Sequence, residues 1–258
     1  MEPQLSTVEA GATRRRLAAL SRAGEGPTVV WLGGFKSDMR ATKAEALDRW
    51  AAEHGRAFLR FDYSGHGESS GDFADGTIGA WREDALAVIE ALAGPRAILV
   101  GSSMGGWIAL LIALELKARQ SPRAPSGLVL IAPAVDFTEA LMWPQLPDAA
   151  KRQIESEGVW LRPSEYSPEP YPITRALFED GRQHLLLGRP IEPGCPVHIL
   201  QGMQDPDVPW RHAMTLIEHL PADAVTLTMV KDGDHRLSRD QDIALLTRSV
   251  AAMSGDRS

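Results

Sequence analysis

Cysteine and basic charge are both scarce in this sequence of 258 residues. The single cysteine, Cys195, excludes a disulfide within the chain, and its place at the start of an apolar run indicates a small buried side chain. Lysine and arginine number 27 against 34 aspartate and glutamate residues, which gives a formal net charge of −7. This balance disfavours a nucleic-acid partner, because such a partner is bound by a basic face. We expect the one dense basic cluster, residues 14–16, to lie on a solvated edge or strand face.

Long apolar runs are missing as well, so the sequence predicts no membrane span. The N-terminus carries Glu2 and Glu9 and lacks an uninterrupted apolar segment, which argues against a secretory signal. These observations favour a cytoplasmic location. Residues 10–24 are rich in arginine and free of acidic residues, a composition that weakly resembles a transit peptide. A mitochondrial location is therefore the alternative.

Motifs for cofactors and metals are also absent. The glycine-rich stretches at residues 33–34 and 65–67 fit neither G-x-G-x-x-G nor the Walker pattern, so nucleotide binding is not indicated. Asp232, Asp234 and His235 stand close together, but no second group of ligands follows at a compatible spacing. We therefore predict no cofactor and no metal.

Short apolar runs alternate with helical stretches along most of the chain. The predicted strands are residues 28–32, 57–61, 97–100, 127–131, 196–200 and 225–230. The predicted helices are residues 42–54, 79–92, 105–118, 209–220 and 240–253. Nearly continuous apolar character is typical of strands that are covered on both faces. The alternation predicts an α/β fold, with a mostly parallel central sheet and helices on both faces.

Two regions depart from this alternation. Residues 5–27 are predicted to add one or two antiparallel edge strands. Residues 137–192 contain two tryptophans and several prolines, with short helices predicted at residues 148–157 and 173–187. We interpret this second region as a small helical lid inserted into a core of residues 1–136 and 193–258.

The stretch GSSMG at residues 101–105 follows a predicted buried strand and precedes an apolar helix. It fits G-x-S-x-G, in which the central serine sits on a strained turn and the flanking glycines avoid a collision. The register of the pattern selects Ser103 and leaves Ser102 as a spacer. A glycine- and serine-rich turn without chemistry is the alternative, and the position after a buried strand favours a nucleophile.

A serine hydroxyl needs a base, and the base needs a group that orients it. His235 follows the last predicted strand, where the chain order serine, acid, histidine requires the base. His66 in the loop after an earlier strand is a rival. Asp205 is the favoured acid because it comes first after its strand, whereas Asp207 could instead cap the next helix.

Two backbone N–H groups are required to hold an oxyanion. One is the amide of Met104, which follows the nucleophile directly. The other is expected from the loop after the first core strand, where we favour the amide of Phe35 and keep Gly34 as the fallback. An ordinary turn is the alternative for the glycine pair.

Three spaced motifs resemble those of the α/β-hydrolase fold over nearly the whole chain. Residues 62–69 read DYSGHGES and match D-x-x-G-x-G-x-S, and residues 202–209 read GMQDPDVP and match G-x-x-D-x-x-V-P. The third motif is the G-x-S-x-G turn. The resemblance supports Asp205 as the acid and makes His66 a loop residue rather than the base.

A narrower resemblance is to the branch of mitochondrial α/β-hydrolase-domain palmitoyl-protein thioesterases and their bacterial relatives. It rests on WLGGFKSDM at residues 31–39, the following Thr42-Lys43-Ala44, and on residues 171–175, 179–182 and 234–237. Ala41 departs from the glycine expected there. The branch implies hydrolysis of acyl thioesters or esters, including S-acylated cysteines.

The sequence thus predicts a cofactor-free serine hydrolase that acts on acyl esters or thioesters of small molecules or proteins; it predicts no oligomeric state. An amidase, peptidase or haloperoxidase-like enzyme with the same triad is the alternative, and an inactive ligand-binding protein is an alternative of another class. The residues predicted to contact substrate are Gly34, Met142, Trp143, Trp160 and Phe178. The apolar members of this set could instead pack the insertion onto the sheet.

Overall fold

The computed structural model describes residues 2–163, 170–220 and 224–255. Its strands are β1 (Gln4–Ala10), β2 (Arg15–Arg22), β3 (Glu25–Leu32), β4 (Arg56–Phe61), β5 (Ile98–Ser102), β6 (Gly127–Ile131), β7 (Val159–Arg162), β8 (Tyr171–Thr174), β9 (Val197–Gly202) and β10 (Val225–Val230). Its α-helices are α1 (Thr42–Glu53), α2 (Ile78–Leu92), α3 (Met104–Ala118), α4 (Trp143–Gln145), α5 (Asp148–Glu157), α6 (Arg175–Gly181), α7 (Trp210–Glu218) and α8 (Asp240–Met253).

In the described residues, eight strands form the central sheet in the order β1-β2-β4-β3-β5-β6-β9-β10. The strands from β4 to β10 in this order are parallel, and β1 and β2 add antiparallel pairs at one edge. The predicted α/β fold class is confirmed. Each predicted core strand and helix is present, because buried strands and amphipathic helices carry their signal within a short stretch of sequence.

Helices cover both faces of the sheet, and alternate residues of each central strand enter different cores. On β3, Val30 and Leu32 pack with α2 and α3, whereas Val29 and Trp31 pack with α1 and α8. The parallel strands are therefore apolar at successive positions rather than at every second one. Among the helices of the described residues, none has the length and apolar composition needed to cross a bilayer.

The basic cluster at residues 14–16 does not lie wholly in solvent. Arg15 at the start of β2 places its Nε 2.8 Å from Oδ1 of the fully buried Asp84 on α2 and forms a second ion pair with Glu83 at 2.6 Å. Asp84 also accepts hydrogen bonds from the amide and hydroxyl of Ser64, at 2.9 and 2.6 Å. Arg15 therefore does not lie on a solvated face as expected. Its two ion pairs join the hairpin of β1 and β2 to α2.

The insertion between β6 and β9 has a small core of its own. Its β7 and β8 form an antiparallel pair, and Ile154, Ile173 and Phe178 are buried together beside them. The predicted helix over residues 173–187 is wrong at both ends. Residues 171–174 pair with β7 and Thr174 caps α6, and the helical residues end at His184. Residues 164–169, which include Pro168, lie outside the described residues.

The first turn of α3 approaches the end of β3 so closely that only glycine fits. A Cβ atom at Gly105 would overlap the carbonyl oxygen of Leu32 and lie 2.6 Å from that of Gly33. Both are backbone atoms, so no side chain can move aside. This contact sets the position of α3, and with it the turn that precedes the helix.

We expect Gly105→Ala to lower the free energy of unfolding by about 1–3 kcal/mol or more, because the added methyl group displaces backbone. Gly94→Ala is the matched control, since its Cβ would meet only Thr28 Oγ1 at 3.4 Å. Urea unfolding monitored by circular dichroism measures both variants. Equal stability of the two variants would contradict the close approach.

Candidate active site

Ser103 occupies the junction between β5 and α3 with a backbone that few residues adopt. Its φ is 54° and its ψ is −118°, which is strained for a residue with a side chain. A Cβ at Gly101 would overlap the backbone of Gly105, so the turn requires glycine there. The amide of Ser103 donates to the carbonyl of Ile131 at 2.9 Å. The neighbouring strand β6 thereby holds the turn.

His235 lies between the serine and a carboxylate. Its Nε2 is 3.2 Å from Ser103 Oγ, and its Nδ1 is 2.8 Å from Asp205 Oδ2. The side chain of His235 is 23% exposed and that of Asp205 is fully buried. The structure thus brings together three residues that the sequence places 102 (205 − 103) and 30 (235 − 205) positions apart.

Asp205 is oriented by its own loop. Its Oδ1 accepts hydrogen bonds from the amides of Asp207 and Val208, at 2.9 and 2.8 Å. This leaves Oδ2 to face His235. Asp207 contributes an amide to this arrangement, and its side chain is exposed.

A metal ion would have to compete with these contacts. Asp205, Asp207 and His235 offer ligand atoms within 4.8 Å of one another. The Nδ1 of His235 and the carboxylate of Asp205 are already joined by a hydrogen bond. Binding of a metal by all three residues would have to break this hydrogen bond, whereas a carboxylate held against Nδ1 is the arrangement that orients an imidazole as a base.

The loop after β3 approaches the serine from the other side. A Cβ at Gly34 would lie 3.4 Å from Ser103 Cβ and 3.3 Å from the Ser102 carbonyl oxygen. In the parts of the chain that the structure describes, neither the Phe35 amide nor the Met104 amide donates a hydrogen bond to a protein group. Both donors are therefore free to meet a ligand.

The side chain of Phe35 fixes this loop through aromatic contacts. Its ring packs edge-on against four others, with centroid distances of 4.9 Å to Phe73, 5.8 Å to Trp81, 5.7 Å to Phe137 and 6.1 Å to Tyr171. Tyr171 belongs to β8 of the insertion. Phe35 thus packs against the core and the insertion at once.

A buried carboxylate explains the motif at residues 62–69. Asp62 accepts from the amide of Met39 at 2.7 Å and from that of Glu68 at 2.8 Å, which joins the loop after β3 to the loop after β4. Burial raises the pKa of Asp62, and the two amides oppose this effect. Gly67 has a φ of 45° and a Cβ there would overlap the carboxylate, so glycine is required.

His66 has a role that the sequence did not reveal. It is buried beside Phe73 and Trp81, and its Nε2 accepts from the amide of Lys36 at 3.2 Å. Its Nδ1 lies 3.1 Å from the Ser64 carbonyl, so the neutral ring donates there. His66 therefore holds the residue after Phe35. Its place in a G-x-G loop was visible in the sequence, but its partner was not.

The predicted substrate-contacting residues of the insertion lie in or against its small core. Phe178 is 1% exposed, and Trp143 packs edge-on against it at 4.8 Å. Met142 and Trp160 are partly buried against the same cluster. The burial of Phe178 agrees with a packing role for that residue. The other three retain exposed surface.

A profile described as the alpha/beta hydrolase family matches residues 15–246. The chain belongs to the α/β-hydrolase family and is a hydrolase. The mitochondrial palmitoyl-protein thioesterase ABHD10 of Bos taurus is 39% identical over 228 residues, which are 88% of this chain and 72% of the bovine protein. These findings confirm the resemblances drawn from the motifs.

Two solved structures agree with this assignment. A candidate hydrolase from Agrobacterium vitis S4 is 55% identical with a TM-score of 0.92, and the match covers 98% of each chain. Mouse alpha/beta hydrolase domain-containing protein 10 is 34% identical with a TM-score of 0.86, over 99% of this chain and 100% of the mouse chain.

We expect His66→Phe to lower the free energy of unfolding at pH 7.5 by about 1–3 kcal/mol, because the Lys36 amide loses its acceptor. Burial lowers the pKa of His66, so the folded protein keeps the ring neutral below pH ~6.5, where the unfolded chain takes up a proton. This contribution of His66 therefore declines as the pH falls. Urea unfolding at pH 7.5 and 5.5 should show a smaller difference between wild type and variant at pH 5.5. A constant difference would contradict this role; other histidines cancel in the comparison.

Proposed function

We propose that this protein is a serine hydrolase that cleaves acyl esters or thioesters through Ser103, His235 and Asp205. The observation that carries the proposal is the continuous contact from Asp205 through His235 to Ser103, with distances of 2.8 and 3.2 Å. A base in contact with the hydroxyl and a carboxylate behind the base are the geometry that activates a serine.

The first half of the reaction forms an acyl-enzyme. Ser103 Oγ attacks the carbonyl carbon while His235 Nε2 takes the hydroxyl proton. Asp205 holds the imidazole in one tautomer and stabilises its protonated form. The bond to the leaving group then breaks, and His235 returns the proton to the departing sulfur or oxygen.

The second half releases the acid. His235 Nε2 takes a proton from water while the water oxygen attacks the acyl carbon bound to Ser103 Oγ. The bond between this carbon and Oγ then breaks, and His235 returns the proton to Ser103 Oγ. The amides of Phe35 and Met104 hold the oxyanion in both halves, and the N-terminus of α3 favours the same negative charge. Their freedom from other partners and the approach of Gly34 to Ser103 support this assignment.

The acyl thioester is the substrate class that the relatives favour. The bovine relative is named a palmitoyl-protein thioesterase, and the similarity extends over most of this chain. We propose that residues 137–192 act as a lid, with Met142, Trp143 and Trp160 offering apolar surface to the acyl chain. Small acyl thioesters and S-acylated proteins both present this chemistry.

Other reactions on the same residues are the competing candidates. An amidase, a peptidase or a haloperoxidase-like enzyme would use the same three side chains, and the fold does not separate them. Dehalogenase and epoxide-hydrolase chemistry is disfavoured because it needs a carboxylate where Ser103 stands. In a binding protein without activity, the contact between His235 and Ser103 would have no catalytic function.

The compartment remains part of the proposal. The near absence of cysteine favours the cytoplasm, whereas the curated relatives are named as mitochondrial. Residues 10–24, whose composition resembles a transit peptide, lie in the hairpin of β1 and β2 and the turn after it. They are thus part of the folded sheet.

Ser103→Ala is expected to reduce turnover of a nitrophenyl acyl ester by about 10⁴-fold or more, because the nucleophile is removed. Ser102→Ala, which changes the adjacent serine in the same way, should keep activity near that of wild type. Labelling with a fluorophosphonate probe should modify wild type and the Ser102 variant only. Turnover by Ser103→Ala close to wild type would refute the mechanism, and an unlabelled wild type would favour the binding protein.

Trp160→Ala should raise KM for a long-chain acyl thioester by about tenfold and leave KM for an acetyl thioester unchanged, because only the long chain reaches the lid. Phe178→Leu is the matched comparison, since this ring is buried in the core of the insertion. It should change the thermal midpoint rather than the chain-length preference. Equal effects of Trp160→Ala on both substrates would exclude a role of this residue in acyl binding.

A further inference from the structure

Lys43 connects α1 to the loop that carries His235. The side chain starts from the second residue of α1, and its ammonium donates to the carbonyl of Arg236 and lies 3.5 Å from Ser238 Oγ. The sequence places these groups 193 and 195 positions away from Lys43. Arg236 is the residue directly after His235, so the contact holds the backbone one residue beyond the proposed base.

The location is unfavourable for a lysine, which argues for a specific purpose. A cation in the first turn of a helix is repelled by the positive end of the helix dipole. Within the described ranges no carboxylate forms an ion pair with Lys43. Burial lowers the pKa of Lys43 to about 8. The charged groups that act on it are Arg236, which opposes the ammonium, and Asp234 and Asp242, which favour it.

The loop around His235 is held at other points that do not involve the ammonium. Leu237 has a φ of 42°, is 3% exposed in the core beside α1, and donates its amide to Asp234 Oδ1 at 3.0 Å. The hydroxyl of Ser238 donates to the Arg236 carbonyl at 2.9 Å. Without Lys43 this carbonyl would keep one partner, so loss of the lysine should cost little in folding.

We propose that Lys43 is a positioning residue, whose ammonium holds the carbonyl of Arg236, the residue after His235, and so keeps Nε2 of His235 within reach of Ser103. The inference rests on the proposed function of Ser103 and His235. The body of α1 is a rigid support, because Ala44, Leu47 and Ala51 are buried in the same core as Leu237. The loop that carries His235 is thereby fixed to a packed helix at one further point.

The charge of the ammonium gives this contact a pH dependence. Lys43 is charged below pH about 8 and neutral above it. A charged donor makes a hydrogen bond about twice as strong as a neutral one, so the hold on the loop weakens as the pH rises through this range. In the wild type, kcat should decline on the alkaline side.

The test compares Lys43→Met with Lys117→Met, which removes an exposed lysine paired with Glu192 at the far end of α3. For a nitrophenyl acyl ester we expect Lys43→Met to lower kcat per titrated active site by about tenfold, with KM within about twofold and a thermal midpoint within a few degrees of wild type. The kcat of Lys43→Met should also show no decline at alkaline pH. Lys117→Met should match wild type in all three measurements.

Several outcomes would overturn the inference. An unchanged kcat would do so, as would a loss of rate that disappears when activity is expressed per site titrated with a fluorophosphonate, since that loss reflects unfolded protein. If Met at position 43 prevents folding, Lys43→Gln keeps an uncharged donor, and it must still lower kcat and flatten the alkaline limb. Ser103→Ala separates the two claims: if it is inactive while Lys43→Met is normal, only the positioning role fails.

Discussion

The strained backbone of Ser103 is the constraint on which the rest of the site depends. A residue with a φ of 54° between a strand and a helix persists only when its neighbours hold it. Here the hold comes from glycines that let α3 approach β3 and from the hydrogen bond to β6. The central strands of the sheet therefore act as the frame of the turn, and the hydroxyl projects from the edge where the strands end.

The other groups of the site come from loops that follow three different strands, and buried polar side chains hold two of these loops. Asp62 and His66 hold the loop after β3, while Asp205 is held by the amides of its own loop. Each of these side chains is buried, and each has partners that offset the cost of burial. The precision of the site thus comes from satisfied polar groups beneath it as much as from the three residues at its centre.

The sequence was informative where structure is local. The core strands and the turn at Ser103 follow from short patterns, and the motif at residues 202–209 contains the aspartate that contacts His235. The β7–β8 pair, the acceptor role of His66 and the contact of Arg15 with Asp84 depend on residues that are distant in the chain. Periodicity carries no record of such pairings, because either partner alone looks like an ordinary loop or surface residue. Lys43 belongs to the motif that follows β3, but its contact with the carbonyl of Arg236 is visible only in the structure.

In the proposed mechanism, the packing of Phe35 would couple substrate entry to the arrangement of the oxyanion donors. One face of the cluster around this ring belongs to the core and another, Tyr171, to the insertion. If the insertion acts as the proposed lid, an acyl chain that displaces the β7–β8 pair would remove Tyr171 from Phe35, the residue proposed to donate its amide to the oxyanion. Opening this lid and holding the proposed oxyanion donor would then place opposed demands on a single phenylalanine, and a bound acyl group that replaces the lost ring contact would reconcile them.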